Sequence, residues 1–234
     1  MHPVRFFTLF SVLAIAPLWA ASHEDAQGRQ IIDRYLEASH AQSEALRGMQ
    51  MEVNLDAQLP RLEKHGKLKA LRRISKLGMI TYKALGFSGD NLIKKQVIAR
   101  YLAEDSEHRD IAITPANYKF KYKGRMERDG RTLHVFELSP RRKAVGLFRG
   151  QLWLDDETAM PVRESGRFVK SPSVFLKKIE FVREYQIQDG VAIPKHVEST
   201  ADVRLLGRAE LTVDYSNFSR QEIAEDASPD PSNR

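Results

Sequence analysis

Histidines and carboxylates are the side chains most able to do chemistry at neutral pH, and this sequence spaces neither for it. The histidines stand at His2, His23, His40, His65, His108, His134 and His196. A metal or acid–base site needs two of them on one face, as in His-Glu-x-x-His or His-x-His, and no pair has that spacing. His134 and His196 both fall in strand segments and could meet across a sheet; otherwise they are two solvated or hydrogen-bonded imidazoles. Glu104-Asp105 and Asp155-Asp156-Glu157 could mimic catalytic carboxylates or a calcium loop. Both lie where surface turns are expected, and neither has the Asp-x-Asp-x-Asp-Gly order of a calcium loop. The chain has no cysteine. Disulfide frameworks, thiolate metal sites, cysteine nucleophiles and lipid attachment through cysteine are therefore excluded. No Gly-x-Ser-x-Gly elbow, phosphate-binding glycine loop or dinucleotide fingerprint occurs. These residues name no reaction, and no cofactor or metal is expected.

Charge is the next source of function. Lys and Arg number 37 against 31 Asp and Glu in 234 residues, a net charge of +6. Such an excess allows an anionic partner without demanding one. It is concentrated in Arg61–Lys76, where Arg61, Lys64, Lys67, Lys69, Arg72, Arg73 and Lys76 face one acid, Glu63. Leu62, Leu68, Leu71 and Ile74 interleave. A surface for anionic lipid headgroups or an acidic protein, and a solvated hairpin whose lysines guard a sheet edge, both fit this pattern. A nucleic-acid arm would use such charge too, but the secretory leader described below argues against it, and no nucleic-acid partner is expected. Lys67, Lys69, Arg72 and Arg73 are the candidate contacts for a partner or a headgroup.

The elements that would position these groups follow from hydrophobic period. Ser22–Gly48 has no proline, and Ile31, Ile32, Tyr35, Leu36, Ala45 and Leu46 recur at roughly helical spacing, which predicts one long amphipathic helix. The period then becomes two. Met49, Met51, Val53 and Leu55 alternate with polar residues, His65-Gly66 is the expected turn, and Lys67–Lys76 returns as a partner strand. Met79–Phe87 is a further strand. Asp90 is the expected N-cap of a short helix with Ile93, Val97, Ile98, Tyr101 and Leu102 on its apolar face. From 117 to 218 about seven strands follow, with hairpin turns at Asp129-Gly130 and Asp189-Gly190. Val203–Tyr215 reads as one strand, with Val203, Leu205, Leu211, Val213 and Tyr215 on a common face. Sequential strands joined by short turns give an α+β fold. It is a strongly curved, mostly antiparallel sheet covered by a long N-terminal helix and a second short one.

The N-terminus gives an address. Arg5 precedes the uncharged run Phe6–Ala20. Fifteen helical residues rise about 22 Å, short of the roughly 30 Å of a bilayer core. Pro17 and the small Ala20 and Ala21 complete the plan of a secretory signal peptide cleaved after Ala20. The expected organisation is a leader over 1–20, one domain over 21–223 and a Ser-, Asp- and Pro-rich disordered tail over 224–234. The mature protein is expected to be monomeric and periplasmic.

This order, together with one local pattern, resembles a known family. Gly150, Leu152, Trp153, Leu154 and Asp155 are followed by Met160, Pro161, Val162 and Arg163. An apolar-Trp-apolar-Asp turn leading to a Leu-Pro-x-Arg strand start is common in the LolA-like superfamily of periplasmic outer-membrane lipoprotein-sorting proteins. Asp155 would close the turn and Pro161 would start the strand. The resemblance implies an unclosed β-barrel with helices as a lid over an apolar cavity. It implies a non-catalytic carrier that binds lipoprotein acyl chains or other lipids. The alternative is an envelope sensor of the same fold that docks an inner- or outer-membrane protein through the basic hairpin 61–76. By alternation, the candidate cavity residues are Met49, Met51, Val53 and Leu55, with Ile179, Phe181, Tyr185, Val203, Leu205, Leu211, Val213 and Tyr215.

Overall fold

A computed structural model of the chain describes residues 18–107 and 111–220. Most of the expected leader and the whole of the expected tail lie outside the described residues. The long helix α1 (Leu18–Ala45) leads through a turn at Gly48 into β1 (Met49–Leu59), β2 (Lys64–Ile74) and β3 (Ile80–Gly89). A second helical segment follows in three consecutive pieces: α2 (Asn91–Ile93), a π-helical turn (Lys94–Ile98) and α3 (Ala99–Ser106). Seven strands complete the fold: β4 (Tyr118–Arg128), β5 (Arg131–Pro140), β6 (Phe148–Asp155), β7 (Pro161–Phe168), β8 (Leu176–Gln188), β9 (Val191–Val203) and β10 (Gly207–Arg220).

All ten strands form one antiparallel sheet in the order β3-β2-β1-β10-β9-β8-β7-β6-β5-β4. Every neighbour is also a neighbour in sequence except the β1–β10 pair, which sets Val53 opposite Tyr215 and Leu55 opposite Val213. The sheet does not close, because β3 and β4 are its two edges. The second helical segment is the chain that joins those edges. The architecture is thus the expected α+β one: a curved antiparallel sheet with a long first helix and a short second one.

Two apolar clusters hold the helices to the sheet. In the first, Met51, Val53, Leu55, Leu68 and Ala70 of β1 and β2 pack with Ile93 and Ile98 of the second helix. In the second, Ile31, Ile32 and Tyr35, one stripe of α1, pack with Tyr118, Phe136, Leu138 and Phe148. Each fully buried side chain of this kind contributes roughly 1.5–3 kcal/mol. The second helix is aimed by its cap: Asp90 Oδ1 accepts from Leu92 N at 2.7 Å and Oδ2 from Lys64 Nζ at 2.7 Å. Asp129 and Gly130, and Asp189 and Gly190, have the positive φ pairs that tight hairpin turns require.

Three local expectations are corrected. The β1–β2 turn lies at Pro60–Leu62, a 3-10 turn that ends on a left-handed Glu63, and not at His65-Gly66. Proline fixes the φ of that turn's first residue. Val203 and Leu205 do not share a strand with Leu211, because the chain turns at Arg204–Leu206 between β9 and β10. Leu205 adopts a left-handed φ of 71°, a conformation its type does not advertise. Glu104-Asp105 is not a surface turn but part of α3.

Candidate functional site

Between the helices and the concave face of the sheet lies a cavity of about 650 Å³. Its sheet wall comes from β8, β9 and β10: Ile179, Phe181, Tyr185, Val203, Leu211 and Tyr215. Its helical wall is Leu46 beyond α1 with Val97 and Tyr101 of the second helix. Leu77 and Ile80 bound it on the β2–β3 side, Ile111, Val145 and Phe168 on the other. A volume between about 300 and 1,000 Å³ with mostly apolar walls is the usual form of a small-ligand site.

Half of the twelve cavity residues expected from alternation are on this wall. Met51, Val53, Leu55 and Val213 are instead sealed in the first apolar cluster, each at most 2% exposed. The second helix lies directly on β1 and its neighbours, so their inner faces are dry core. Met49 is half-buried at the start of β1 and does not line the cavity. Leu205 is 87% exposed at the tip of the β9–β10 turn, on no inner face at all. Alternation missed Val97 and Tyr101 because it treats sheet and lid separately. The clue was the width of the second helix's apolar face, wide enough to meet both core and cavity.

Several polar groups in the wall are paired. Arg72 belongs to the inner row of β2 with Leu68, Ala70 and Ile74, and is not available on the outer surface where a headgroup or partner contact was expected. Its Nε donates to Asp105 Oδ2 at 3.1 Å and to Tyr82 Oη at 3.1 Å, while Tyr82 donates to the same carboxylate oxygen at 2.6 Å. Burial disfavours the Arg72 charge, but Asp105 and the nearby phenol oxygens more than offset it, so the guanidinium is held above its ordinary pKa. Burial, followed by the Asp105 charge, pushes the Tyr82 phenol up. Tyr101 and Tyr215 share a hydrogen bond at 3.2 Å, and burial raises both. Burial and Glu164 raise Tyr185. These tyrosines are neutral hydroxyls at physiological pH, suited to hydrogen bonding and not to proton abstraction.

The remaining candidates are dispersed. Lys67 and Lys69 point outward from β2 and pair across the strand with Asp56 at 2.8 Å and Glu52 at 2.7 Å. Arg73 is half-buried on that outer face. The outward lysines of the basic hairpin are therefore charge-matched by β1. His134 and His196 do not meet: they sit on β5 and β9, with three strands between them. His134 bridges Tyr122 Oη at 2.8 Å and Asp156 Oδ1 at 2.6 Å. That contact is the first cause of a lowered Asp156 pKa. His196 contacts Asp214 at 2.6 Å and Glu198 at 3.4 Å. Burial opposes its charge, and the two carboxylates together raise its pKa. Asp155 does close the β6–β7 turn, accepting from Thr158 N at 3.0 Å and Thr158 Oγ1 at 2.9 Å. Among the described residues no cluster of three His, Asp or Glu side chains is arranged to hold a metal.

No family model and no curated protein matches the chain. Solved structures similar to it include a DUF1329 family protein from Desulfovibrio piger, at 13% identity and TM-score 0.46 over 86% of this chain and 95% of that one. A LolA superfamily protein from Nitrosomonas europaea is similar at 13% identity and TM-score 0.42, over 84% and 94%. An outer membrane lipoprotein-sorting protein domain from Vibrio parahaemolyticus is similar at 11% identity and TM-score 0.44, over 86% and 95%. Among the described residues no helix is long and apolar enough to cross a membrane.

Proposed function

We propose that this protein is a non-catalytic periplasmic carrier of amphiphiles, holding an acyl chain in the cavity between its helices and its sheet. The observation that carries this reading is the cavity itself: about 650 Å³, mostly apolar, with Arg72 hydrogen-bonded to Asp105 and Tyr101 to Tyr215 in its wall. Binding needs no chemistry. Each methylene moved out of water is worth roughly 0.8 kcal/mol, so a dozen offer on the order of 10 kcal/mol before the costs of association. Lipoprotein acyl chains and other lipids share that chemistry. Tyr101, Tyr215, Arg72 and Asp105 offer hydrogen-bonding partners to the polar end of a ligand.

The test is native mass spectrometry of protein purified from a periplasm, followed by organic extraction. A discrete amphiphile released on unfolding is expected. Leu211 lies on the cavity wall and is buried, so Leu211→Glu should abolish retention. Ala201, half-buried on the same wall, gives a second variant that introduces no charge: Ala201→Trp should fill the space and have the same effect. Lipid content equal to wild type in either folded variant would refute the reading.

A further inference from the structure

Three loops meet at one end of the open barrel: the β1–β2 turn, the β7–β8 loop and the β9–β10 turn. They touch. Arg204 N donates to Phe175 O at 2.8 Å, and the Arg61 side chain packs beside Gly207. Their tips carry large apolar side chains that face water: Val174 is 78% exposed, Phe175 51% and Leu205 87%. Burying such groups inside the fold was open to the chain, as its other rows of Val, Leu and Phe show. Around them stand Arg61, Lys170, Lys177, Lys178, Arg204 and Arg208, all exposed, against the three acids Glu63, Asp202 and Glu210; Asp202 pairs with Lys178 at 3.8 Å and Glu210 with Arg208 at 3.7 Å.

We infer that this end of the barrel is a docking surface for a lipid bilayer with anionic headgroups. This inference extends the carrier reading and relies on it for the purpose of docking, though not for the surface itself. Apolar tips on two neighbouring loops, each beside lysine or arginine, match the interface of a membrane, where side chains enter to headgroup depth and cations meet phosphates. A protein partner calls for a different surface, with a continuous apolar centre and little lysine. The outer face of the basic hairpin does not compete for this role: Asp56 and Glu52 hold Lys67 and Lys69 at 2.8 and 2.7 Å, whereas the rim's two ion pairs are longer, and Arg61, Lys170, Lys177 and Arg204 have no acidic partner among the described residues. The position of the rim also fits. Pro172 and Leu176 from the β7–β8 side and Val203 from the end of β9 line the cavity, so its wall continues directly into the rim. A bilayer held there faces the space in which an acyl chain would lie.

The experiment is co-sedimentation of protein recovered from a periplasm with vesicles of phosphatidylcholine alone, or of phosphatidylcholine and phosphatidylglycerol in equal parts. Binding to the anionic vesicles only, weakening as salt is raised, is expected. The combined change Lys170→Gln, Lys177→Gln and Lys178→Gln should lower partitioning by about a hundredfold. The combined change Val174→Asp, Phe175→Asp and Leu205→Asp should lower it by at least about tenfold. All six positions are exposed, so the fold survives both. A wild-type protein that stays in solution at low salt overturns the inference, as do triple variants that bind like wild type. Capture of an acidic protein without vesicle binding overturns it too. Lipid extraction of the same samples separates the two readings: a bare protein that still binds anionic vesicles supports the docking surface and refutes the carrier.

Discussion

Arg72 shows how little a residue type says before its row is known. In a run of seven basic residues it is the one whose side chain turns into the barrel, 10% exposed, to meet Asp105 of α3. A buried pair of this kind stabilises less than its Coulomb energy suggests, because both charges leave water, but removing one partner strands the other. Arg72→Met is therefore expected to cost about 3 kcal/mol. The double change Arg72→Met with Asp105→Leu should recover most of that loss. Urea unfolding of the three proteins measures the coupling, and equal losses in the single and double variants would show that the pair does not hold the second helix. His134 is the converse case. It was singled out as a chemical candidate and is instead a buried link among β4, β5 and the β6–β7 turn, to which α1 also attaches through Arg34 and the carbonyls of Asp156 and Glu157.

At the level of elements, β6 and β7 are in close backbone contact. Gly150 and Gly166 are cross-strand partners. A Cβ on Gly150 would strike the Ser165 carbonyl and lie 2.5 Å from Gly166 Cα. Both obstacles are backbone, which cannot step aside as a side chain can. Gly150→Ala should thus destabilise the protein by about 3 kcal/mol, at the upper end of the usual cost of overpacking. Thermal unfolding reads this directly, and an unchanged transition would mean the two strands can separate locally at no cost. The second helical segment is an element with two faces. Ile93 and Ile98 complete the first apolar cluster, while Val97 and Tyr101 face the cavity. The π-helical turn Lys94–Ile98 sits between these roles.

The whole molecule is an open sheet whose gap is spanned by its own β3–β4 connection. The two apolar clusters lie under different helices, and the cavity occupies the seam between them. A ligand in that seam touches both halves and binds only the folded state, so it must stabilise the molecule by mass action. At a free concentration of about 100 times its Kd the gain is about 2.7 kcal/mol, which corresponds to a rise in Tm of roughly 5–10 °C for a domain of this size. Thermal scans with a series of fatty acids and lysophospholipids of increasing chain length test this. The rise should grow with chain length and then stop at the length the cavity holds. A Tm that no amphiphile moves would mean the seam does not take up an acyl chain.

Much of this was legible in the sequence. Alternation placed most of the strands, and Asp129-Gly130 and Asp189-Gly190 marked two of the hairpins, because these signals are local and rest on the backbone conformations the residues allow. Asp90 announced the second helix for the same reason, as an acceptor placed to satisfy a free N–H. The turn at Arg204–Leu206 was invisible, since three ordinary residues were driven into it by the pairing of β9 with β10. The cavity was only half legible. Alternation tells which side chains share a face, and it correctly grouped Met51 with Val53 and Leu55. It cannot tell whether a helix lies on that face or beside it. That is decided by where the second helix lands, and with it which apolar rows become dry core and which enclose space. Only tertiary contact turned Arg72 from a surface charge into a buried one and left Leu205 in water.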